Sequence, residues 1–444
     1  MARPKTPSIF NGLPPVITRT MRLSIVEGSL VQAVLNWTTG SVMVGYLLHM
    51  GASPYHIGLV SSVPLLAQVS APFAAILGGW TSKRRMLTAL VATLSRATWV
   101  LAAFLPQLDL PDPLKPTLLV AMVLFASVFQ SAAGTLWTPW MGEVVPERLR
   151  GRYFGLRTGV VGLAGMVANL AAGAFLDHVA APLSFQVVMG VAVVLGAIGV
   201  GLYFTHYDPP SERVTIKVRE VFSLPFRNPN FRKLLLFGVY WNFVIMLGAP
   251  FVVPYFLSEL HMTFTHIAMW SAIAATTGLM TTMLWGRVAD RYGNKPVLAI
   301  CTFIAGAGLP SMWILAGYTG NMAYIWFGAV NDAIAWGGIG PAVFNVALVT
   351  APREGRVAYI AMYALVSGLA GFIGGTLSAP LLEFFMSIQA DGARWTAYHS
   401  LFLVTGVGRM LAWVWVRRVH EPNSLRTREV LRRSVPGLGR PGGG

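Results

Sequence analysis

Asp332 and Glu27 lie inside long apolar stretches of this sequence, where an acid can bind a proton or pair with a cation. Asp332 lies about ten residues into one stretch, at a depth where a carboxylate costs roughly 2.5–3.5 kcal/mol if the stretch crosses a membrane. We expect Asp332 to be a proton site or the counter-ion of a cationic substrate. A structural hydrogen bond to a neighbouring helix is the alternative. Glu27, near the start of another stretch, is a second candidate for proton coupling, or else a partly hydrated acid beside a gate.

Two arginines also lie within apolar stretches. Arg96 falls in the middle of its stretch and must pair with another group, reach a cavity or extend to the membrane surface. Arg409 lies about two turns from the end of the last stretch, so we expect its side chain to extend to the surface and keep its charge in water.

Uncharged polar residues recur along four of the apolar stretches with the spacing of one helix face. They are Gln32 and Asn36, Gln130 and Trp137, Asn242, and Asn331 and Asn345. Such a stripe faces water or a substrate, or else its amides bond to a neighbouring helix, a contact that contributes about 0.6 kcal/mol on average. The first interpretation makes these residues candidates for lining a substrate cavity.

The composition indicates which elements must position these residues. The chain is 55% hydrophobic and 11% charged over 444 residues, against about 25% charged residues in ordinary soluble domains. Stretches long enough to cross a hydrocarbon core of about 30 Å recur along the sequence, which indicates a polytopic α-helical membrane protein. The twelve predicted spans are 24–48, 55–79, 86–106, 117–142, 155–177, 184–205, 233–257, 266–285, 297–317, 322–350, 357–386 and 398–416.

The positions of the charges explain the net charge of +16. If both termini lie on one side, the loops of the other side contain only Lys115 and Arg394 of the 33 Lys and Arg residues. Basic loops mark the cytoplasmic side of a membrane protein. We therefore predict a multi-pass protein of the cell inner (plasma) membrane with both termini in the cytoplasm. The basicity does not indicate nucleic-acid binding.

The residues that catalysis or metal binding would need are sparse and scattered. Cys301 is the single cysteine and falls inside a span, and the eight histidines form no metal-binding pattern. The sequence has no phosphate-binding loop, so direct use of ATP has no support. We expect no cofactor, no metal and no enzymatic activity.

A charged, glycine-containing turn joins two of the apolar stretches. It contains Gly286, Asp290, Arg291, Gly293 and Lys295. This turn resembles the pattern G-x-x-x-D-R-x-G-R/K-R/K that lies between the second and third helices of each half in the major facilitator superfamily. The first half of the chain contains a related turn, in which Thr81 and Ser82 stand where the aspartate is expected, together with other landmarks that recur in the same order.

The resemblance implies an all-α membrane protein with twelve transmembrane helices in two six-helix pseudo-symmetric halves. The expected organisation is a cytoplasmic segment at 1–23, a first half at 24–205, a cytoplasmic linker at 206–232, a second half at 233–417, and a basic, partly disordered cytoplasmic tail at 418–444. In the family, the first, fourth, seventh and tenth helices line the central cavity. This favours the cavity interpretation of the polar stripes.

The resemblance also implies a gate role for the charged turn. In the family, the loop carboxylate lies near the N-terminus of the facing helix, which stabilises a carboxylate by about 0.3–1 kcal/mol, and pairs with arginine. Asp290, Arg291 and Arg356 therefore form a candidate latch, with Gly286 and Gly293 as further gate residues. Alternatively, these charges only fix the topology.

The implied function is secondary active transport of a small organic solute by rocker-switch alternating access, with protons as a candidate coupling ion. The alternative is a non-transport membrane protein, such as a sensor or an assembly factor, on the same scaffold. The expected partners are a small-molecule substrate and the lipid bilayer, with no nucleic acid, and the expected oligomeric state is a monomer.

Overall fold

The computed structural model describes residues 12–111, 113–210, 218–352 and 356–422, and residues 424, 425, 427, 429 and 430. These residues form helices joined by short turns, and this part of the chain contains no strand. The helices are α1 (Pro15–Thr39), α2 (Ser41–His49), α3 (Pro54–Leu66), α4 (Ser70–Trp80), α5 (Arg84–Phe104), α6 (Leu114–Val144), α7 (Arg150–His178), α8 (Leu183–Tyr203), α9 (Val218–Arg227), α10 (Pro229–Gly248), α11 (Val252–Pro254), α12 (Phe264–Tyr292), α13 (Asn294–Ala307), α14 (Leu309–Thr319), α15 (Ala323–Thr350), α16 (Arg356–Ser387), α17 (Ala397–Leu411) and α18 (Trp413–Arg418).

Eleven helical segments in the described chain are long and apolar enough to cross a membrane. They correspond to the second to twelfth predicted spans. The first predicted span, 24–48, is divided at Gly40 into α1 and α2. Gly40 adopts an extended conformation there, and a Cβ at this position would collide with the carbonyl oxygen of Asn36. The predicted all-α membrane architecture is therefore confirmed, with its first span interrupted.

The helices expose large apolar side chains, as contact with lipid requires. On α12, the exposed fraction is 57% for Leu279, 71% for Met280 and 69% for Met283. A contiguous apolar surface of this kind is rare on a soluble monomer. These side chains identify a surface of α12 that suits the hydrocarbon core of a bilayer.

The chain divides into two compact units. The first unit comprises the described parts of Met1–His56, Ala67–Ile216 and Thr263–Ala268. The second comprises the described parts of Ile57–Leu66, Lys217–Met262 and Met269–Gly444.

Each unit buries its own core between packed helices. In the first unit, α1 packs against α7 and α8, and α5 packs against α6 and α8, around the fully buried Trp140 and Tyr153. In the second unit, α10 packs against α16, and α13 packs against α15 and α17, around Phe231 and Phe237. These packings bring polar residues from separate helices into contact inside each unit.

The region predicted as a linker at 206–232 contains helix. It includes α9, and α10 already begins at Pro229, where Asn228 accepts hydrogen bonds from the backbone N–H groups of Asn230 and Phe231 at 3.0 and 3.1 Å. Residues 211–217 lie outside the described chain. The start of the predicted tail is packed, since Val419 and Glu421 are buried. The stretch 436–444, where disorder is predicted, lies outside the described chain.

Candidate functional site

Glu27 on α1 lies inside the first unit with only 2% of its surface exposed. Its Oε1 accepts a hydrogen bond from the hydroxyl of Tyr203 on α8 at 2.8 Å. Its Oε2 lies 3.5 Å from Nη2 of Arg157 on α7. Three helices therefore meet at one carboxylate, and a buried charge held in this way needs its partners to remain in place.

Arg157 connects the carboxylate to an aromatic surface. Its Nε lies 3.3 Å from both the carbonyl oxygen and the hydroxyl of Ser24, and its Cζ lies 4.2 Å from the ring centroid of Trp137. A guanidinium at this distance from an indole ring makes a favourable cation–π contact. Gly28 makes room for it, because a Cβ there would lie 2.8 Å from Cζ of Arg157.

Arg96 on α5 turns into the same interior, with 5% of its surface exposed. Its Nη1 donates hydrogen bonds to Oγ of Ser95 at 3.1 Å and to Oε1 of Gln130 on α6. Its stem lies against Gly196 on α8, where a Cβ would come within 2.8 Å of Cγ of Arg96. Of the three roles left open by the sequence, the structure supports pairing within the bundle.

We call these residues the Glu27 cluster: Glu27, Arg96, Gln130, Trp137, Arg157 and Tyr203. The cluster holds two guanidinium groups and one carboxylate, so one positive charge has no counter-charge within it. Nε of Arg96 and Nε1 of Trp137 are buried and have no hydrogen-bond partner among the described residues. The cluster therefore has donors in excess of acceptors.

Two of the predicted cavity residues, Gln32 and Asn36, form a short chain of hydrogen bonds that crosses from α1 to α7 at Asn36. Nε2 of Gln32 donates to Oδ1 of Asn36 at 2.8 Å, and Nδ2 of Asn36 donates to the carbonyl oxygen of Gly165 on α7 at 3.0 Å. Gly165 is required for this approach, because a Cβ there would lie 2.7 Å from Cγ of Gln32. The arrangement matches the alternative in which amides join neighbouring helices.

Asp332 on α15 is partly buried in the second unit. Its carboxylate lies within hydrogen-bonding reach of the Trp336 side chain one turn along the same helix, and it interacts electrostatically with Arg409 on α17. Arg409 has only 2% of its surface exposed. The expectation that Arg409 extends to the membrane surface is therefore wrong: its side chain turns inward, towards the one acid that α15 places opposite it. We call Asp332, Trp336 and Arg409 the Asp332 group.

The remaining polar residues of the second unit separate into different environments. Asn331 fits against Gly308, and its Nδ2 has no partner among the described residues. Asn242 donates to the carbonyl oxygen of Gly238 on its own helix at 2.9 Å. Asn345 donates to Oδ1 of Asn294 at 3.1 Å. The structure does not bring these three amides together.

The candidate latch residues make no ion pair with one another in the described chain. Asp290 and Arg291 are exposed, and Cζ of Arg291 lies 5.2 Å from the ring centroid of the neighbouring Tyr292. Nε of Arg356 is buried without a hydrogen-bond partner among the described residues. Gly286 lies in the last two turns of α12. The latch stays a prediction.

The charged turn has a partner that sequence reasoning missed. Oε1 and Oε2 of Glu421 accept hydrogen bonds from the backbone N–H groups of Asn294 and Lys295 at 3.1 and 2.7 Å, which caps the start of α13. Gly293 has a φ of +97°, and a Cβ there would lie 2.6 Å from Cβ of Ser424. The segment after α18 is therefore hydrogen-bonded to the charged turn through Glu421.

Arg157 and Tyr203 are the functional candidates that the sequence did not identify. Arg157 lies near a span end, where a basic residue also fits the positive-inside pattern, and Tyr203 ends a helix that contains no charged residue. One signal in the sequence could have identified Arg157. It lies inside a predicted span, shortly after Arg150 and Arg152 of the charged turn. Among the described residues, no group of three or more His, Cys, Asp or Glu side chains forms a metal site.

Comparison with known proteins adds two findings. A family model described as Major Facilitator Superfamily matches residues 28–375 and, in a second match, residues 249–436. No curated protein matches the chain.

Solved transporter structures share the fold at low sequence identity. The nucleoside transporter NupG has a TM-score of 0.64 and 14% identity over 92% of this chain and 100% of that chain. The inward-open xylose transporter XylE from E. coli has a TM-score of 0.63 and 16% identity over 94% of this chain and 99% of that chain. A POT family transporter in complex with a thioalcohol-conjugated peptide has a TM-score of 0.69 and 14% identity over 92% of this chain and 98% of that chain.

Proposed function

Because the chain belongs to the major facilitator superfamily, we propose that it is a secondary active transporter that moves a small organic solute across the membrane. The match of the family model to nearly the whole chain is the observation that carries this proposal. Transport would proceed by alternating access, in which two repeats rock around a substrate site. The polar interiors of both units support a transport role, since ionisable residues within membrane spans are costly and mark transport pathways by default.

The coupling ion in this proposal is the proton, exchanged at Asp332. One property supports Asp332 over Glu27: Asp332 is partly exposed, whereas Glu27 is enclosed by helices. Asp332 also interacts with the buried Arg409, so exchange of a proton at Asp332 would change the balance of charge inside the second unit.

Glu27 has a different role in the proposal. Its bonds to Tyr203 and Arg157 come from two helices. We assign it to positioning Arg157 rather than to carrying the coupling proton.

The proposed location is the plasma membrane, with both termini in the cytoplasm and the protein acting as a monomer. The distribution of basic residues supports this orientation, because the loops of the opposite side contain only Lys115 and Arg394. Topology reporters fused at Lys115 and at Lys217 should read external and internal, respectively.

Solute uptake into proteoliposomes tests the proposed function. Purified protein should concentrate a solute against its gradient when a pH gradient is imposed, and liposomes without protein should not. Binding of a solute without any flux would instead favour a sensor or an assembly factor on the same scaffold.

A further inference from the structure

The geometry of the Glu27 cluster points to a substrate class: an organic monocarboxylate that binds to Arg157 and Trp137 in the first unit. This inference rests on the proposed transport function and adds the charge of the solute to it. Three features of the cluster support it: its charge balance, its unused hydrogen-bond donors and the partial exposure of Arg157.

The charge balance favours an anion. Arg96 and Arg157 each carry a fixed positive charge, and Glu27 is the one carboxylate that pairs with either of them in the described chain. Gln130 gives Arg96 a neutral acceptor. A buried charge without a counter-charge is unfavourable, so one additional negative charge would complete the cluster.

The buried hydrogen-bonding groups of the Glu27 cluster that lack a partner among the described residues are all donors. Nε1 of Trp137 and Nε of Arg96 have no partner among the described residues, and the hydrogen bonds of Arg157 to the described chain use Nε and Nη2 but not Nη1. Indole and guanidinium nitrogens donate and do not accept. Their ligand must therefore supply acceptors, as the two oxygens of a carboxylate do.

Arg157 is the accessible arginine of the cluster. Its side chain is 18% exposed, whereas that of Glu27 is 3% exposed. Its contact with Glu27 is long, at 3.5 Å, compared with about 2.7–2.9 Å for a strong charge-assisted hydrogen bond. Arg157 can therefore accept a second carboxylate while Glu27 remains bonded to Tyr203.

The surroundings favour an organic acid over an inorganic anion. The Trp137 ring lies beside Arg157, and Phe154 meets it edge to face with ring centroids 6.4 Å apart. These partly exposed rings offer an apolar surface next to the charged group. A solute that joins a carboxylate to an apolar body matches both features.

A matched ligand panel tests the substrate class by thermal shift of the purified protein. Benzoate, hexanoate and indole-3-acetate are each compared with the corresponding amide and amine. We expect stabilisation by carboxylates and not by their amides or amines. Stabilisation by the amides or amines alone, or by no carboxylate, would overturn the inference.

Variants locate the site. Arg157→Gln should weaken carboxylate binding about tenfold or more, since a hydrogen bond to a charged group is lost, and Arg157→Lys should retain part of the affinity. Arg150→Gln is the control, because Arg150 lies on the same helix but is exposed and pairs with Glu147. Trp137→Phe keeps a smaller aromatic ring and removes the donor, so it still tests the site if Arg157→Gln does not fold. Unchanged carboxylate affinity in Trp137→Phe and Arg157→Lys would contradict the site.

Measurements of flux distinguish a failure of this inference from a failure of the proposed function. A carboxylate that binds through Arg157 but is never moved in proteoliposomes contradicts transport and leaves the anion site standing. A neutral or cationic solute that is concentrated equally by wild type and Arg157→Gln contradicts the anion site and leaves transport standing.

Discussion

The two units each place a carboxylate opposite an arginine, but they surround it differently. Glu27 is 2% exposed and is held by a hydroxyl and a guanidinium from two other helices. Asp332 is partly exposed, and its neighbours are a tryptophan on its own helix and one arginine on α17. The carboxylate is thus enclosed between helices in the first unit and partly exposed in the second. This difference leads us to assign positioning to Glu27 and proton exchange to Asp332.

The largest predicted effect concerns the removal of each charge. Glu27→Gln should lower the free energy of unfolding by about 3–5 kcal/mol, because the buried Arg96 and the partly exposed Arg157 lose the one carboxylate of the cluster. Asp332→Asn should cost about 1–3 kcal/mol, since Asp332 is only partly buried and one arginine is affected. Thermal melting in detergent measures both variants. An Asp332→Asn variant that melts below Glu27→Gln would contradict the comparison.

The second prediction tests the bond that fixes Glu27. Tyr203→Phe removes a hydroxyl that donates to a carboxylate and should cost about 1.5–3 kcal/mol. The matched variant in the second unit is Tyr255→Phe, whose hydroxyl donates to the neutral carbonyl oxygen of Trp313 at 2.7 Å and lies 3.2 Å from Nε2 of His399. That loss should cost about 0.5–1.5 kcal/mol. Equal losses in the two melting experiments would mean that the charge of Glu27 adds nothing to its bond with Tyr203.

The third prediction concerns two glycines of the charged turn, which should respond with opposite signs. Gly293→Ala should destabilise the second unit by about 1–3 kcal/mol, because its φ of +97° strains any other residue and its Cβ would meet Ser424. Gly286→Ala should stabilise by about 0.5–1 kcal/mol, since Gly286 is helical and a Cβ there has no heavy atom within 4 Å among the neighbours. Melting temperatures measure both. Destabilisation by Gly286→Ala would contradict the prediction, because the added methyl group would then have to collide with atoms outside the described residues.

The smallest predicted effect lies just after α8 in the first unit. Burial lowers the pKa of His206 below its usual value, so the unfolded chain takes up a proton at higher pH than the folded protein does. The folded state should therefore lose stability as the pH falls below about 6.5 and show no such loss above that value. Melting from pH 8 to 5.5 should show a small drop that His206→Gln reduces. If His206→Gln shows a drop of equal size, other titrating groups cause the loss of stability.

The sequence was sufficient for the architecture because that information is local. Span length and apolar composition predict each crossing helix without reference to any other helix. The charged turn contains its family pattern within one short segment, and Asp332 stands out because a single acid interrupts an apolar span. Each of these signals can be recognised from one segment alone.

The partners of the polar residues could not be predicted in the same way. Glu27, Arg157 and Tyr203 are far apart in the chain, and their meeting depends on which faces α1, α7 and α8 turn towards one another. The same reason explains the wrong expectation for Arg409: distance from a span end allows the side chain to reach the surface, but only the packing of α17 on its neighbours directs it inward. Glu421 was missed because a basic, polar tail gives no signal that one of its acids caps a helix.

The pH dependence of flux tests the central claim most directly. Solute accumulation in proteoliposomes is measured with and without an imposed pH gradient for wild type, Asp332→Asn and Glu27→Gln. We predict that Asp332→Asn still binds the solute and exchanges it downhill but no longer accumulates it in response to the pH gradient, whereas Glu27→Gln retains that response at reduced stability. Accumulation by Asp332→Asn with the wild-type response to pH would contradict the assignment of the coupling proton to Asp332.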